Sequence, residues 1–149
     1  MNSFNKEELK LERIVEVNEA ISAGRNVLCR ADEVLSYLNS AKTWGLIDMF
    51  SDRSFLFGLL KNSKINDAEA AMNDLRYSIN RFNDELDDVK VYGSINNVDI
   101  DGFVRFIDVF MDNFFVDLYA ISKISDSKRQ VENLKIEVNQ ILKQLETIK

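Results

Sequence analysis

Apolar residues recur at alternating intervals of three and four along most of the chain, a spacing that is typical of packed amphipathic helices. The first run predicts a helix over residues 5–42. Asn5 and Glu8, at the spacing of a capping box, predict where this helix begins. Its buried face is expected in two neighbouring lines: Ile14, Val17, Ile21, Gly24, Leu28, Ala31, Leu35 and Leu38, with Ala20, Val27, Val34 and Ala41 beside them.

Two further runs predict helices over residues 66–91 and 99–124. In the second helix the apolar line is Ile65, Ala68, Met72, Leu75, Ile79, Phe82, Leu86 and Val89. In the third it is Phe103, Ile107, Phe110, Phe114, Ile121 and Ile124. The chain has no proline and five glycines, so it lacks the turn residues that a β or α/β protein of this length needs. The predicted fold class is all-α: an elongated antiparallel bundle of three long helices in a single domain, residues 1–149.

Residues 125–149 carry another heptad stripe, and the sequence leaves two interpretations of it open. The segment either continues the third helix as a coiled coil that overhangs the bundle, or folds back as a fourth helix. No glycine or proline marks a reversal, which favours continuation. An overhang would need a partner, because such an apolar stripe is poorly stable alone in water. The stripe is Val131, Leu134, Val138, Ile141, Leu145 and Ile148.

The connector at residues 43–64 is unusually apolar for a loop. In one interpretation it forms short helical turns that close the foot of the bundle. In the other, part of it stays exposed as a docking or dimer surface, whose aromatic side chains would contribute most of the binding energy. The candidate interaction surface is Trp44, Leu46, Ile47, Phe50, Phe55 and Phe57.

Composition and charge restrict the possible functions. The chain has 25 acidic and 19 basic residues, a net charge of −6, whereas surfaces that bind nucleic acid or anionic membranes are usually basic. It has no histidine and a single cysteine, Cys29, which excludes a disulfide within the chain, a histidine-based triad and a structural zinc site. We therefore expect neither enzymatic activity nor a cofactor.

Two further patterns bear on the cellular location. The first eight residues contain no apolar stretch of the kind that signal peptides have. The third helix is apolar over much of its circumference, but the charges between Arg105 and Asp117 are too many for a membrane span. We expect a cytoplasmic protein that does not bind membranes.

One stretch at the start of the third helix follows the spacing of an EF-hand calcium loop. Asn97, Asp99 and Asp101 would supply oxygen ligands at its first, third and fifth positions, Gly102 would permit the bend, and Asp108 stands at the twelfth. The asparagine at the first position and the short aspartate at the twelfth depart from the pattern. The alternative is that Asp99 caps the third helix and Asp101 complements its dipole.

Two groups of charged residues complete the candidate chemistry. Asp117 falls within the apolar face of the third helix, where a carboxylate needs a partner. Arg76 lies at a similar level of the predicted bundle, so we expect a buried ion pair between the two. By contrast, four acids near the end of the second helix predict a solvated face. They are Asp84, Glu85, Asp87 and Asp88.

Helical core patterns and a connector with Trp44-Gly45 and Asp48 occur in segments 40–48, 60–89 and 106–127. In these segments the chain resembles a family of small helical bacterial proteins to which no activity is assigned. The resemblance covers most of the chain after residue 20. It implies a bacterial cytosolic helical protein and transfers no catalytic residues.

These observations leave three functional hypotheses. The first is a non-enzymatic interaction or scaffolding protein that acts through helix–helix association and forms homo-oligomers through its C-terminal stripe or its connector. The second is an acidic inhibitor or immunity-type protein that shields a basic partner. The third is a helical bundle that binds calcium or a small ligand, the latter near Asp117.

Overall fold

The structure is a computed structural model, and it describes residues 3–43, 63–91, 98–117 and 124–148, with the side chains of residues 6–39, 70–91, 98–114 and 126–148. These residues form four α-helices and no strand. The helices are α1, Ser3–Thr43; α2, Ser63–Val91; α3, Ile100–Asp117; and α4, Ile124–Thr147. The predicted all-α class is confirmed.

The observed helix start differs from the sequence prediction for α1 and agrees with it for α3. α1 begins at Ser3, so Asn5 lies inside its first turn, and the prediction that Asn5 caps it is wrong. Asp99 does cap α3: its Oδ1 accepts a hydrogen bond from the Gly102 backbone N–H at 2.9 Å. Its carbonyl accepts the first helical bond, from the Phe103 N–H at 3.1 Å. The cap therefore satisfies donors that a helix start otherwise leaves unpaired.

Side chains from all four helices meet in one hydrophobic core. In α1 the predicted second line is the more deeply buried: Ala20, Val27 and Val34 are inaccessible to water, whereas Leu28 and Leu35 are only partly buried. Burial of one large apolar side chain contributes about 1.5–3 kcal/mol. The largest fully buried side chains are Phe82, Phe114, Leu75, Ile79, Leu86, Ile107, Leu134 and Leu145.

The C-terminal segment folds back, and the expectation that it continues the third helix as an overhang is wrong. α4 packs along α1, with Lys135 Nζ 2.6 Å from Asp32 Oδ1 and Arg25 Nη2 3.3 Å from Glu146 Oε1. The physical reason is that folding back buries most of the heptad stripe on the same chain, whereas an overhang leaves it in water. The stripe residues with no exposed surface are Val131, Leu134, Val138 and Leu145.

Contacts between helices set their relative directions. Arg30 of α1 lies 3.8 Å from Asp74 of α2, while Glu16 lies beside Asp88, so α1 and α2 run in opposite directions. At the end that holds Glu16 and Asp88, the Asp99 N–H donates to Gln144 Oε1 at 3.0 Å. This bond places the start of α3 beside the end of α4.

Gly24 of α1 marks a close approach between helices. A Cβ atom at this position would lie 2.6 Å from Leu142 Cδ2 of α4 and 3.0 Å from the ring of Phe82 of α2. The Phe82 ring also packs edge-on against Phe103 of α3, with centroids 5.3 Å apart. The absence of a side chain at Gly24 therefore lets α1, α2 and α4 meet around one aromatic ring.

Candidate functional site

An acidic cluster lies between α1 and α2, near the C-terminal end of α2. It consists of Glu16, Glu85 and Asp88, whose carboxylate oxygens lie within 4.8 Å of one another. Glu85 and Asp88 are three residues apart and so share one side of α2. The antiparallel packing of the two helices then brings Glu16 opposite them. Among the described residues this is the one group of three carboxylates at such spacing.

The electrostatics of the acidic cluster are unfavourable. Partial burial, and after it the carboxylates of Glu19 and Asp88, raise the pKa of Glu16 above its usual value of 4.5. The same causes in the same order raise the pKa of Glu85, although Arg81 acts in the opposite direction. One carboxylate oxygen of each glutamate is buried without a hydrogen-bond partner. The C-terminal end of the α2 dipole is also negative, so the cluster concentrates negative charge.

Nearby cations do little to relieve this charge. Lys90, the basic residue in the last turn of α2, donates a hydrogen bond to Asp101 Oδ1 of α3 at 2.6 Å. That bond raises the pKa of Lys90 above 10.5 and lowers the pKa of Asp101 below 3.8. Lys90 is therefore oriented towards α3. The oxygens of Glu16, Glu85 and Asp88 are hard ligands that a divalent cation could use, and equally acceptors for a partner's lysine or arginine.

A second feature lies at the same end of the molecule, where α1 runs past its partners. We call residues 3–15 the N-terminal extension. Val91, the last residue of α2, lies opposite about residue 13 of α1, given the contact of Glu16 with Asp88 and a constant rise per residue. Residues 6–12 are all exposed. Three large apolar side chains of the extension contact water: Leu9 is 48% exposed, Leu11 64% and Val15 52%.

The residues of the predicted calcium loop have other roles in the structure. Asp99 caps α3 through Gly102, and a Cβ at residue 102 would collide with the Asp99 carboxylate, which accounts for the glycine without an ion. Asp101 pairs with Lys90, and Asp108 is exposed on α3. Asn97 lies outside the described residues. The geometry thus brings no three of these carboxylates together among the residues that the structure describes.

The remaining predicted sites fall largely outside the described residues. Arg76 is exposed on α2, and the side chain of Asp117 is not among those described, so the ion pair between them stays a prediction. The same holds for the candidate surface in the connector. Its residues, Trp44, Leu46, Ile47, Phe50, Phe55 and Phe57, all lie outside the described ranges.

A cavity of about 450 Å³ lies between α1 and α2, at the opposite end from the acidic cluster. Its two carboxylates are already engaged by one arginine: Arg30 Nη1 lies 3.2 Å from Glu33 Oε2 and 3.8 Å from Asp74 Oδ2. The lining therefore presents little unpaired charge to a ligand. The lining residues are Glu33, Ser36, Tyr37, Ala70, Ala71 and Asp74.

The acidic cluster is the feature that sequence reasoning missed. Asp84, Asp87 and Asp88 are exposed as predicted, but Glu85 is partly buried. On a helical wheel Glu85 lies at the border of the apolar face, next to Phe82 and Val89, and this position was the available signal. Its proximity to Glu16 depends on the register between α1 and α2, which neither helix encodes alone.

Comparison with protein-family models, with curated proteins and with solved structures finds no match to this chain. Within the described ranges, no helix combines the length and the apolar character that a membrane crossing requires.

Proposed function

We propose that the protein is a non-enzymatic interaction or scaffolding protein that acts through helix–helix association. The observation that supports this best is the N-terminal extension, a continuous helical segment with Leu9, Leu11 and Val15 in water. Exposed apolar surface costs about 25 cal/mol per Å². A partner helix laid along the extension would remove that cost.

The N-terminal extension is a different surface from the two that the sequence predicted, which are the C-terminal stripe and the connector. The C-terminal stripe is buried against α1 and cannot receive a partner without unfolding α4. The connector at 43–64 stays a prediction. Of the candidate surfaces in the described residues, the extension combines exposed apolar side chains with a position beyond the helices that could cover it.

Further parts of the proposal rest on composition and packing. A chain with no histidine and a net charge of −6 is better suited to binding proteins than to catalysis, nucleic acids or anionic membranes. We propose a bacterial, cytoplasmic location on the sequence resemblance. The helix contacts support a single elongated antiparallel bundle over residues 1–149, which is also a proposal.

Site-specific photocrosslinking tests the proposed function. A benzophenone amino acid is placed at residue 9 or residue 11 of the extension in the full chain, expressed in the cells from which the protein comes. The matched control is residue 136, because Ile136 is 55% exposed but lies on α4. We expect crosslinked protein from residues 9 and 11 and none from residue 136. Equal yields at all three positions, or none, would contradict a role for the extension.

The acidic cluster favours a second candidate function, that of an acidic protein which shields a basic partner. Glu16 and Glu85 each keep a buried oxygen without a partner, and a lysine or arginine from outside would supply one. The probe residue for this function is Asp84, which is exposed beside the cluster. Crosslinks from residue 84 to a different, basic protein would support it. Crosslinks from the extension alone would favour the first function.

A further inference from the structure

A basic stripe runs along the N-terminal extension in line with the hydrophobic core. Lys6, Lys10 and Arg13 follow one another at intervals of four and three, and the same spacing continues into the buried residues Val17 and Ala20. These three residues therefore occupy the positions that face the core further along α1. The core-facing line changes from apolar to basic at the point where α2 ends.

Within the part of the chain that the structure describes, the basic stripe has no acidic counterpart. The ion pairs between described residues do not include Lys6 or Lys10, and Arg13 Nε is buried without a hydrogen-bond partner. Asp84 lies opposite about residue 20 of α1, so Lys6 is about 20 Å away along the helix axis. A lysine side chain cannot span that distance.

The acidic end of α2 offers the complementary surface. We call Asp84, Asp88 and Val91 the acidic stripe, because they follow one another at intervals of four and three along one side of α2. Both aspartates are exposed, and Val91 is 79% exposed. The acidic cluster adjoins the stripe through Asp88, so the negative potential there is stronger than these two charges alone produce.

We propose that a second copy of this chain binds here, with the basic stripe of each copy lying against the acidic stripe of the other. The inference deepens the proposed function and rests on it, because it names the partner of the N-terminal extension. Both stripes lie at the same end of the molecule. A two-fold axis at that end therefore forms both contacts at once, as an isologous dimer requires.

The charge of the extension is compatible with a second copy as its partner. The three basic and three acidic residues of the extension cancel, although the whole chain carries −6. A second copy therefore brings to the acidic stripe a segment whose net charge is zero and whose cations face that stripe. Leu9 lies on the same side as Lys6, Lys10 and Arg13 and is 48% exposed, so the contact also removes apolar surface from water.

Charge reversal in the full chain tests this dimer. One variant carries Lys6→Glu and Lys10→Glu, and the other carries Asp84→Lys and Asp88→Lys. Sedimentation and light scattering from micromolar to millimolar protein should show the wild type reaching twice the 17.2 kDa chain mass. In a dimer of either variant alone, like charges would face each other across the contact. This should raise the dissociation constant of the dimer at least about tenfold. Circular dichroism verifies that each variant keeps its helices.

Mixing the two variants gives the sharper result. In a mixed dimer, glutamates of one copy meet lysines of the other, and the second contact keeps its native pair, so mixing should restore the dimer. The matched control is Arg129→Glu with Lys143→Glu, which makes the same change of charge at exposed residues of α4 and should leave the dimer intact. Added salt should weaken the wild-type dimer, because its charges are exposed.

Three results would overturn the inference: a wild type that stays monomeric throughout, variants that dimerise as well as the wild type, or a mixture that does not recover. These failures are distinguishable from failure of the proposed function. If residues 9 and 11 crosslink to another protein while the chain is monomeric, the extension binds a partner and this dimer does not form.

Discussion

At the scale of single residues, Gly24 sets how closely three helices approach. Gly24→Val would place branched carbons where Leu142 and Phe82 already lie within 3.0 Å of a single added atom. We expect the free energy of unfolding to fall by about 1–3 kcal/mol, the usual cost of overpacking. Ser22→Val, at an exposed position of the same helix, should change it by about 0.5 kcal/mol or less. Urea denaturation of both variants measures this, and equal effects would contradict the close approach.

Asp99 allows a test that separates capping from calcium binding. Asp99→Ala removes the acceptor of the Gly102 N–H and should lower the free energy of unfolding by about 0.5–2 kcal/mol. Asp108→Ala, an exposed residue of the same predicted loop, should leave it nearly unchanged. Added calcium should leave the melting temperatures of the wild type and of both variants unchanged. A calcium-induced rise that both substitutions abolish would instead support the EF-hand prediction.

At the scale of helices, the packing of α4 leads to a comparison within one helix. Val138 has no exposed surface, while Ile136, two residues away, is 55% exposed. Val138→Asp should destabilise the fold by about 3 kcal/mol or more, because it buries an unpaired carboxylate. Ile136→Asp should cost about 0.5 kcal/mol or less. If residue 138 instead lay in a contact between copies, Val138→Asp would change the mass in solution and spare the stability of the monomer.

The apolar spacing predicted the helices well because burial of a stripe is a local property of each helix. Leu75, Phe82 and Leu134 were all assigned to core lines and have no exposed surface. Whether α4 folds back or continues α3 depends on the free energies of two arrangements of the whole chain. No local pattern encodes that difference. The acidic cluster was missed for the same reason, since the distance from Glu16 to Glu85 is set by packing between helices.

At the scale of the whole molecule, carboxylates of the described residues are crowded together at one end. The acidic cluster, the end of the α2 dipole and the exposed Asp84 and Asp87 lie together there. Further along the chain, acids are paired across helices, as Lys135 with Asp32 and Arg25 with Glu146. Surface pairs of this kind contribute little stability each. The uneven distribution is therefore better explained by binding than by stability.

This distribution predicts how stability depends on pH. The pKa values of Glu16 and Glu85 are raised in the folded protein above the value of 4.5 that applies when it is unfolded. The folded state therefore binds protons more readily, and the repulsion is relieved as pH falls through the raised values. We expect the free energy of unfolding to increase as pH falls from neutral through the raised pKa values of the two glutamates. At still lower pH, protonation of Asp101, whose pKa is lowered below 3.8, removes its pairing with Lys90, which costs little stability because both side chains are exposed.

Glu85→Gln isolates the contribution of the acidic cluster from that of the net charge. It removes one of the crowded carboxylates, so it should raise stability at neutral pH and flatten the increase on mild acidification. Glu132→Gln, at an exposed position of α4, changes the net charge equally and should keep the wild-type slope. Urea denaturation across the pH series measures all three proteins. If the two variants show the same slope, the pH dependence comes from the overall charge, and the cluster is too well solvated to attract a cationic partner.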